Sequence, residues 1–228
     1  MPTSKTNDEL RADFDRIAVL QENGWNHNSH YHAFLLRHIP GSLHRALDVG
    51  CGSGDFARLL AERADHVLGI DLSPRMVESA QKESAAVPNV EYQIADVMTI
   101  DFAPNSFDCI ASIATLHHLD LEPVLTRLKG WLKPHGTLIV LDLVKSEGLE
   151  YGMDVLAFPV NRLLEMRHAA PTPMTPAAAA EQAAAWKHHG DAETYLTTRE
   201  VRRIADRVLP GAQITRHWFW RYSLVWHK

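Results

Sequence analysis

The sequence predicts an α/β protein built on a doubly wound, mostly parallel sheet. From Arg45 onward, short apolar runs alternate with amphipathic stretches, which is the pattern of successive β-α units. A glycine-rich turn follows the first apolar run, and acidic residues stand at the ends of the next two. Two β-rich segments near the carboxyl end are separated by very few residues and predict an antiparallel hairpin. We therefore expect seven strands, with the hairpin at the edge of the sheet.

The apolar runs give the five predicted strands of the parallel part, at residues 45–50, 66–71, 90–95, 107–113 and 136–143. Helices are expected between them, at about residues 55–63, 74–84 and 121–131. Ser73 and Pro74 support the start of the second of these, since serine caps a helix and proline is tolerated in its first turn. The hairpin strands are predicted at residues 212–217 and 221–227.

We expect residues 1–228 to form a single domain. Its parts are predicted as an N-terminal helical lid (1–43), a core (44–145), an inserted helical cap (146–195), and a last helix with the edge hairpin (196–228). Within the cap, the sequence indicates an apolar helix near 149–167, a proline-rich break at 171–173 and an alanine-rich helix near 176–188.

Composition and charge exclude several classes of function. The formal net charge is −5 and the basic residues are dispersed, so no nucleic-acid partner is expected. The first residues lack an apolar signal segment, and no apolar run approaches the roughly 18 residues of a membrane span. Cys51 and Cys109 lie in apolar segments, where buried thiols are expected, and two cysteines cannot form a four-ligand zinc site. A cytoplasmic protein is predicted.

The segment LDVGCGSG, from Leu47 to Gly54, follows a predicted strand and opens a predicted helix. Glycine tolerates positive φ, and because it lacks Cβ it lets a ligand lie against the backbone. The three glycines are spaced two and two, unlike the G-x-G-x-x-G of dinucleotide-binding proteins, which disfavours a dehydrogenase. Asp48 would attract a cationic amine and repel a pyrophosphate. The alternative is that the glycines serve turn geometry alone.

Two further acidic residues follow predicted strands. Asp71 ends the second strand about twenty residues after the glycine loop, where a carboxylate can accept from both hydroxyls of a ribose. Asp96 comes just after the third strand, where it can accept from the amino group of an adenine. With Asp48, they lie at the carboxyl ends of strands, which is the edge where open α/β sheets bind ligands.

Together these motifs resemble the class I methyltransferases that use S-adenosylmethionine (SAM), and more loosely the ubiquinone and menaquinone biosynthesis methyltransferases. The resemblance covers roughly residues 45–143. It includes VGCGSG, GIDLSPRM, IADV, the run FDCIASIATLHHL from Phe107 to Leu119, and WLKPHGTLIVLDL from Trp131 to Leu143. It implies a Rossmann-like fold, SAM as the cofactor and S-adenosylhomocysteine (SAH) as its product.

The resemblance also implies the residues of the cofactor site. Gly50 and Gly52 would lie against the methionine part, and Asp71 would bind the ribose. The backbone at Ser112 and Ile113 would face the sulfonium. The full set implied is Asp48, Gly50, Cys51, Gly52, Asp71, Leu72, Met76, Asp96, Val97, Ser112 and Ile113.

His117 and His118 follow the fourth predicted strand, beside the expected cofactor. A histidine there has a pKa range suited to accepting a proton, and His117 is the first candidate for a general base. The alternative is that one of the two histidines packs or caps the next helix while the other faces solvent.

Residues 25–32, WNHNSHYH, form the densest polar and aromatic cluster, and we expect them to belong to the lid. His30 is a second catalytic candidate. Trp25, His27 and Tyr31, with Tyr151 of the cap, are candidates for binding the acceptor. His27, His30 and His32 could alternatively hold a metal ion or be hydrogen-bonded at a helix start. No carboxylate or thiolate accompanies them, so no metal is predicted.

The leading hypothesis is a SAM-dependent enzyme that moves a methyl group to a small-molecule acceptor by in-line displacement, acting as a monomer or homodimer. Alternatives are a non-catalytic SAM-binding regulatory module and an RNA or protein methyltransferase. The latter is disfavoured because residues 112–115 read SIAT in place of a D/N-P-P-Y/F motif. An NAD-dependent oxidoreductase is the last alternative.

Overall fold

The computed structural model describes residues 5–20, 27–148, 150–152, 175–190 and 195–228. Within these, one sheet is built from seven strands. In chain order the strands are β1 (Leu43–Val49), β2 (Ala64–Asp71), β3 (Val90–Ile94), β4 (Phe107–Ile113), β5 (Leu132–Leu143), β6 (Gln213–His217) and β7 (Arg221–His227).

The strand order across the sheet is β3-β2-β1-β4-β5-β7-β6. The first five of these strands pair in parallel, whereas β7 is antiparallel to both β5 and β6. This confirms the predicted α/β class and the C-terminal hairpin. Because the chain first builds outward from β1 to β3 and then returns to place β4 on the other side of β1, the order reverses beside β1. Ligands bind at such a point in open α/β sheets.

Seven helices accompany the sheet in the described residues: α1 (Asn7–Leu20), α2 (His32–Leu36), α3 (Asp55–Ala61), α4 (Pro74–Glu83), α5 (Leu121–Trp131), α6 (Pro176–Gly190) and α7 (Thr198–Val208). The start of α4 is capped as predicted, since the Ser73 hydroxyl accepts from the Met76 N–H at 3.1 Å. At the start of α7, Thr197 and Glu200 form a reciprocal capping box. Turns of 3-10 helix lie at Ser29–Tyr31 and Leu116–His118.

Two apolar clusters cover the two faces of the sheet. One joins α5 and α7 to the sheet through fully buried side chains such as Leu125 and Leu128. The other joins α2 and α3 through Leu35 and Leu60. Burying each such leucine contributes about 1.5–3 kcal/mol, so the helices hold the sheet from both sides. The carboxyl ends of the parallel strands stay fixed as a rigid edge.

Helix α1 packs against α4 and α6. The Asp15 carboxylate accepts from the Ser73 hydroxyl at 2.5 Å and from the Arg75 N–H at 3.2 Å, both at the start of α4. Ile17, which is 1% exposed, packs with Met76 in a small separate cluster. The N-terminal helix is therefore attached beside the carboxyl ends of the strands, where a lid was predicted.

The strand predictions differ from the structure mainly at β5, which begins at Leu132 instead of residue 136. Leu132 pairs with Phe107 before the register between β4 and β5 shifts, and His135 has a φ of 63°. Because this irregular stretch contains polar residues, the apolar pattern did not predict it as part of the strand. In the cap, α6 confirms the alanine-rich helix, whereas residues 153–167 of the predicted apolar helix and the break at 171–173 lie outside the described residues.

No helix in the described ranges has the length and apolar character needed to cross a bilayer. The cytoplasmic location stays a prediction from the sequence.

Candidate functional site

A cavity of about 640 Å³ opens at the carboxyl ends of the strands, at the point where the strand order reverses. This volume falls within the roughly 300–1,000 Å³ of small-molecule sites. Its walls are the glycine loop after β1, the end of β2, the loop after β3 and the turn after β4. Asn7, Leu10 and Phe14 of α1 close one side, and Arg221 of β7 lies on the wall as well.

Each glycine of the loop takes a left-handed conformation, with φ of 69° at Gly50, 51° at Gly52 and 79° at Gly54. A Cβ added at Gly50 would lie 2.1 Å from the Thr115 hydroxyl oxygen, so the loop can pack against the turn after β4 only without a side chain there. A Cβ at Gly52 would meet no protein atom within 4 Å. Gly52 therefore leaves space at the cavity wall, into which a ligand can fit against the backbone.

Asp48 is a buried carboxyl on the cavity wall, only 1% exposed. Its Oδ2 atom has no hydrogen-bond partner among the described residues. Burial, with the nearby negative charge of Asp71 as the second cause, raises the pKa of Asp48 to about 7. A buried oxygen without a donor is unfavourable, so this position calls for a ligand that brings N–H groups and positive charge.

Asp71 is held at the end of β2 by the backbone. Its Oδ2 accepts from the Gly52 N–H and its Oδ1 from the Ser73 N–H, both at 2.9 Å. Burial raises the pKa of Asp71, and these backbone donors oppose the rise. A carboxylate has about four lone-pair positions, so each oxygen can still accept from a hydroxyl group in the cavity.

Asp96 lies at the far end of the cavity, where α1 reaches it. Its Oδ1 accepts from the Met98 N–H at 2.8 Å, and its Oδ2 accepts from the Asn7 side-chain amide at 2.7 Å. The apolar side chains of Leu72, Met76 and Val97 line the same region. Between them is a slot with apolar walls and an acceptor at one edge, which suits a flat heteroaromatic ring that carries an amino group.

The donor and acceptor set fits SAM. Asp48 would provide an unpartnered acceptor for the methionine ammonium group, and Asp71 would provide acceptors for the ribose hydroxyls. Asp96 and the apolar slot suit the adenine, while Gly52 leaves room beside the backbone. Each of these residues was predicted from the sequence to serve this cofactor.

His117 and Asp142 form a buried pair at the other side of the cavity. The His117 Nδ1 atom lies 2.6 Å from Asp142 Oδ1, and the His117 backbone N–H donates to Asp142 Oδ2 at 2.9 Å. Their side chains are 6% and 1% exposed. In the tautomer that donates from Nδ1 to Asp142, Nε2 keeps the lone pair that can accept a proton. The pair therefore has the arrangement of an oriented general base.

Ten of the eleven predicted cofactor residues line the cavity. Ser112 does not, because it is fully buried in the sheet and its hydroxyl donates to the Val49 carbonyl oxygen at 3.0 Å. Its neighbour Ile113 does reach the cavity. The alternation of side chains along a strand explains why only one of the two faces the ligand.

Only some of the predicted acceptor-binding and lid residues line the cavity. His27 and His32 line the cavity. Tyr31 is buried beside it, and its hydroxyl donates to the Trp218 carbonyl oxygen at 3.0 Å. His30 is exposed and is not a cavity residue. A 3-10 turn at Ser29–Tyr31 directs these neighbouring side chains to different sides, which periodicity could not predict.

Tyr151 is 68% exposed and lines a neighbouring cavity of about 400 Å³, while Trp25 lies outside the described residues. Of the three histidines considered as metal ligands, His27 packs on Phe219 with ring centres 5.1 Å apart, and His32 packs on Phe56 at 5.2 Å. In the part of the chain that the structure describes, no group of three or more histidine, cysteine or acidic side chains could hold a metal ion.

Sequence reasoning missed Asp142, Arg221 and Tyr195, all close to His117 or on the cavity wall. Asp142 stands near the carboxyl end of β5, so the rule that selected Asp48 and Asp71 would have found it. No comparable signal marks Arg221, which begins an antiparallel strand and reaches the site only because β7 pairs with β5.

Comparison with known proteins identifies the family. A model of the methyltransferase domain matches residues 47–140. Uncharacterized methyltransferases of Mycobacterium bovis and Mycobacterium tuberculosis are 32% identical over 209 residues, which are 89% of this chain and 96% of theirs. Phosphoethanolamine N-methyltransferase 1 of Triticum aestivum is 42% identical over 107 residues, but these are 46% of this chain and 22% of that protein.

Solved structures agree on the fold. A SAM-dependent methyltransferase from Aquifex aeolicus matches with a TM-score of 0.58 at 19% identity, over 94% of this chain and 97% of that one. Phosphoethanolamine N-methyltransferase 1 of Haemonchus contortus, in complex with phosphoethanolamine and SAH, matches with a TM-score of 0.64 at 15% identity, over 97% of this chain and 48% of that one. The looser resemblance to ubiquinone and menaquinone methyltransferases stays a prediction. By its domain, its near full-length relatives and the chemistry of its cavity, this chain belongs to the class I SAM-dependent methyltransferases.

Proposed function

We propose that this enzyme methylates a small-molecule acceptor whose attacking atom must lose a proton, with His117 as the general base. The observation that carries the proposal is that His117 lines the cavity and is paired with the buried carboxylate of Asp142 behind it. A methyl transfer needs a base only when the acceptor is protonated, such as a hydroxyl or an ammonium group. The Asp142 carboxylate fixes the ring and stabilises the imidazolium that forms when His117 takes the proton.

SAM, when bound, supplies a methyl group on a positively charged sulfur, which a nucleophile displaces in line without further activation. The task of the chain is then to hold and orient the acceptor. The bond between the acceptor atom and the methyl carbon forms as the carbon–sulfur bond breaks, and that bonding pair stays on sulfur. The acceptor proton goes to His117 Nε2 and then to solvent. Asp48 and Asp71 hold the cofactor and take no part in this transfer.

Two observations support a small acceptor. The cavity is bounded by α1 on one side and β7 on another, and its volume suits the cofactor with a small molecule beside it. The net charge of −5 and the dispersed basic residues also disfavour nucleic acid. Among the relatives, phosphoethanolamine methyltransferases are named for a small acceptor, although their sequence match covers about half of this chain.

The test is SAH formation from SAM with fractions of a metabolite extract, followed by kinetics on the fraction that gives turnover. The substitutions His117→Ala and Asp142→Asn are each compared with the native enzyme. We expect His117→Ala to lower kcat by about 10²–10⁴-fold, as for the loss of a general base, with SAH affinity unchanged. Asp142→Asn keeps the ring but removes the charge that would stabilise the imidazolium, so we expect a lower kcat with SAH affinity unchanged.

A matched control is His44→Ala. His44 also pairs with a carboxylate, since its Nδ1 lies 3.0 Å from Asp65 Oδ2, but both side chains are about two-thirds exposed, at 68% and 69%. His44 lies at the amino end of β1, away from the cavity. Unchanged kcat across pH in His117→Ala would contradict the proposed base, and loss of turnover in His44→Ala would show that the assay reports folding alone.

A further inference from the structure

The cavity wall that faces away from the adenine slot carries a cation. Among the described residues that line the cavity, Arg221 is the sole lysine or arginine. Of the lining acids, Asp48, Asp71 and Asp96 belong to the predicted cofactor site, and Asp55 forms an ion pair with Arg58. SAM carries one oxyanion of its own, the methionine carboxylate, and an acceptor can bring another. Arg221 is the sole lysine or arginine among the described lining residues that could bind either, and anion binding to the SAH-saturated protein distinguishes the two.

Arg221 has hydrogen-bond partners that are neutral. Its Nε donates to the Asn28 amide oxygen at 2.8 Å, and its Nη1 donates to the Phe219 carbonyl oxygen at 2.6 Å. A guanidinium has five N–H donors, so these two bonds leave donors on the Nη side for a ligand. No carboxylate forms an ion pair with Arg221 among the described residues. A partly buried cation with neutral partners is stabilised further when an oxyanion binds it.

The guanidinium stays charged at neutral pH. Burial lowers the pKa of Arg221 to about 10, and the nearby Tyr31, Asp142 and Tyr195 oppose that fall. The cavity lining gives its place relative to the proposed base. Arg221 and His117 both line the cavity, and Asp142, the partner of His117, lies near enough to Arg221 to oppose the fall of its pKa. One end of the cavity therefore brings together a cation and a base.

The turn that leads into Arg221 is strained. Phe219 and Trp220 are consecutive, carry side chains and have φ of 60° and 55°. Each left-handed residue of this type costs about 1–2 kcal/mol, and this conformation is usually taken by glycine. Surrounding contacts impose the conformation, since the Val144 N–H donates to the Trp220 carbonyl oxygen at 2.9 Å and Phe219 is buried at 2% exposure. Strain kept in this way is typical of functional positions.

We propose that Arg221 binds an oxyanion of the acceptor, so that the substrate of this methyltransferase is a small acid carrying a carboxylate or phosphate beside the atom to be methylated. Planar guanidinium and oxyanion groups form two parallel hydrogen bonds, which fix orientation as well as affinity. Asn28 and Phe219 hold the guanidinium of this cavity-lining residue in place. This inference concerns the acceptor and rests on the proposed function for its role in turnover.

The test measures binding of simple anions to the SAH-saturated protein by titration calorimetry. Benzoate reports a carboxylate, inorganic phosphate reports a phosphate, and benzamide is the neutral counterpart of benzoate. We expect at least one anion to bind the native protein at least tenfold more tightly than Arg221→Gln. SAH and benzamide should bind both proteins equally. The better of the two anions identifies the kind of acid.

Two further variants make the result specific. Arg221→Lys keeps the charge but not the planar pair of donors, so we expect intermediate affinity for the anion. Arg199→Gln removes an exposed arginine from α7 and should change nothing. If Arg221→Gln loses SAH binding but unfolds in urea like the native protein, Arg221 binds the methionine carboxylate and the inference is wrong. If its unfolding transition is lost as well, the variant is misfolded and the comparison of Arg221→Lys with the native protein decides. Equal anion affinity in the native and Arg221 variants, or no anion binding to the native protein at tens of millimolar, would overturn the inference.

The outcomes separate this inference from the proposed function. Suppose that SAH forms from an extract, that His117→Ala abolishes turnover, and that the Arg221 variants bind anions as tightly as the native protein. The anion site is then refuted, and the general base is supported. If substitution of Arg221 weakens anion binding but His117→Ala has the kcat of the native enzyme, the proposal of His117 as general base is refuted and the anion site is supported.

Discussion

The exchange Asp48→Asn tests the electrostatics of the cofactor site. Asp48 is buried, its Oδ2 has no partner in the described residues, and its pKa is raised to about 7 by burial first and by Asp71 second. The backbone N–H of Ala57, near the start of α3, acts in the opposite direction. Asparagine has nearly the same shape as a protonated aspartic acid but cannot ionise. The exchange therefore removes the charge and leaves the packing almost unchanged.

The magnitude follows from the linkage between proton binding and folding. Between about pH 4 and pH 7 the folded protein keeps a proton on Asp48 that the unfolded chain has released, so the free energy of unfolding falls as pH rises through this window. A pKa of about 7 against the ordinary 3.8 corresponds to about 4 kcal/mol lost above pH 7, at 1.36 kcal/mol per pH unit. About 2–3 kcal/mol of this loss falls between pH 5 and pH 8.

The measurement is urea or thermal unfolding of the native protein and Asp48→Asn between pH 5 and pH 8, with and without SAH. Without SAH, we expect the variant to gain stability over the native protein as pH rises, with a Tm up to about 10 °C higher at pH 8, since 1 kcal/mol shifts a chain of this size by about 2–4 °C. SAH affinity should fall at least tenfold in the variant, because the ligand ammonium loses its charged partner.

The control is Asp65→Asn, which removes an exposed carboxylate, 69% accessible, from β2. It should leave both the pH dependence and the SAH affinity as they are. Stability curves of the native protein and Asp48→Asn that run parallel across pH would refute the assignment of a raised pKa. Unchanged SAH affinity would refute the role of Asp48 as partner of the ammonium group.

Three further substitutions test other parts of the structure. Gly50→Ala should lower unfolding free energy by about 2 kcal/mol or more, by chemical denaturation, because its Cβ would lie 2.1 Å from Thr115 and its φ is 69°; stability equal to the native protein would contradict this geometry. Asp15→Ala removes the carboxylate that accepts from Ser73, so stopped-flow should show faster SAH release; an unchanged rate would mean that α1 does not retain the ligand. Thr197→Ala breaks the capping box of α7 and should cost about 1 kcal/mol in urea unfolding, with SAH affinity unaltered; weaker SAH binding would contradict a purely structural role.

Local pattern was enough to predict much of this protein. Two strands, at Phe107–Ile113 and Arg221–His227, and the helix at Leu121–Trp131 have the predicted bounds. Apolar periodicity and capping residues depend on only a few neighbouring positions in the sequence. They therefore predict strands and helices without knowledge of the tertiary structure. The glycine loop and the acids after strands were predictable for a related reason. Parallel strands bring their carboxyl ends to one edge whatever else the chain does.

The acceptor end could not be predicted in this way, because its residues come from distant parts of the chain. Asp142 meets His117 from the adjacent strand, and Arg221 reaches the same wall only because β7 lies between β5 and β6. The conformations of Phe219 and Trp220 oppose the preferences of those residue types, so no local rule would assign them. The sequence by itself determined the class of fold and the cofactor, since both depend on short, contiguous motifs. The tertiary structure alone decided that Asp142 is the partner of His117 and that Arg221 lies on the same cavity, because long-range strand pairing brings them together.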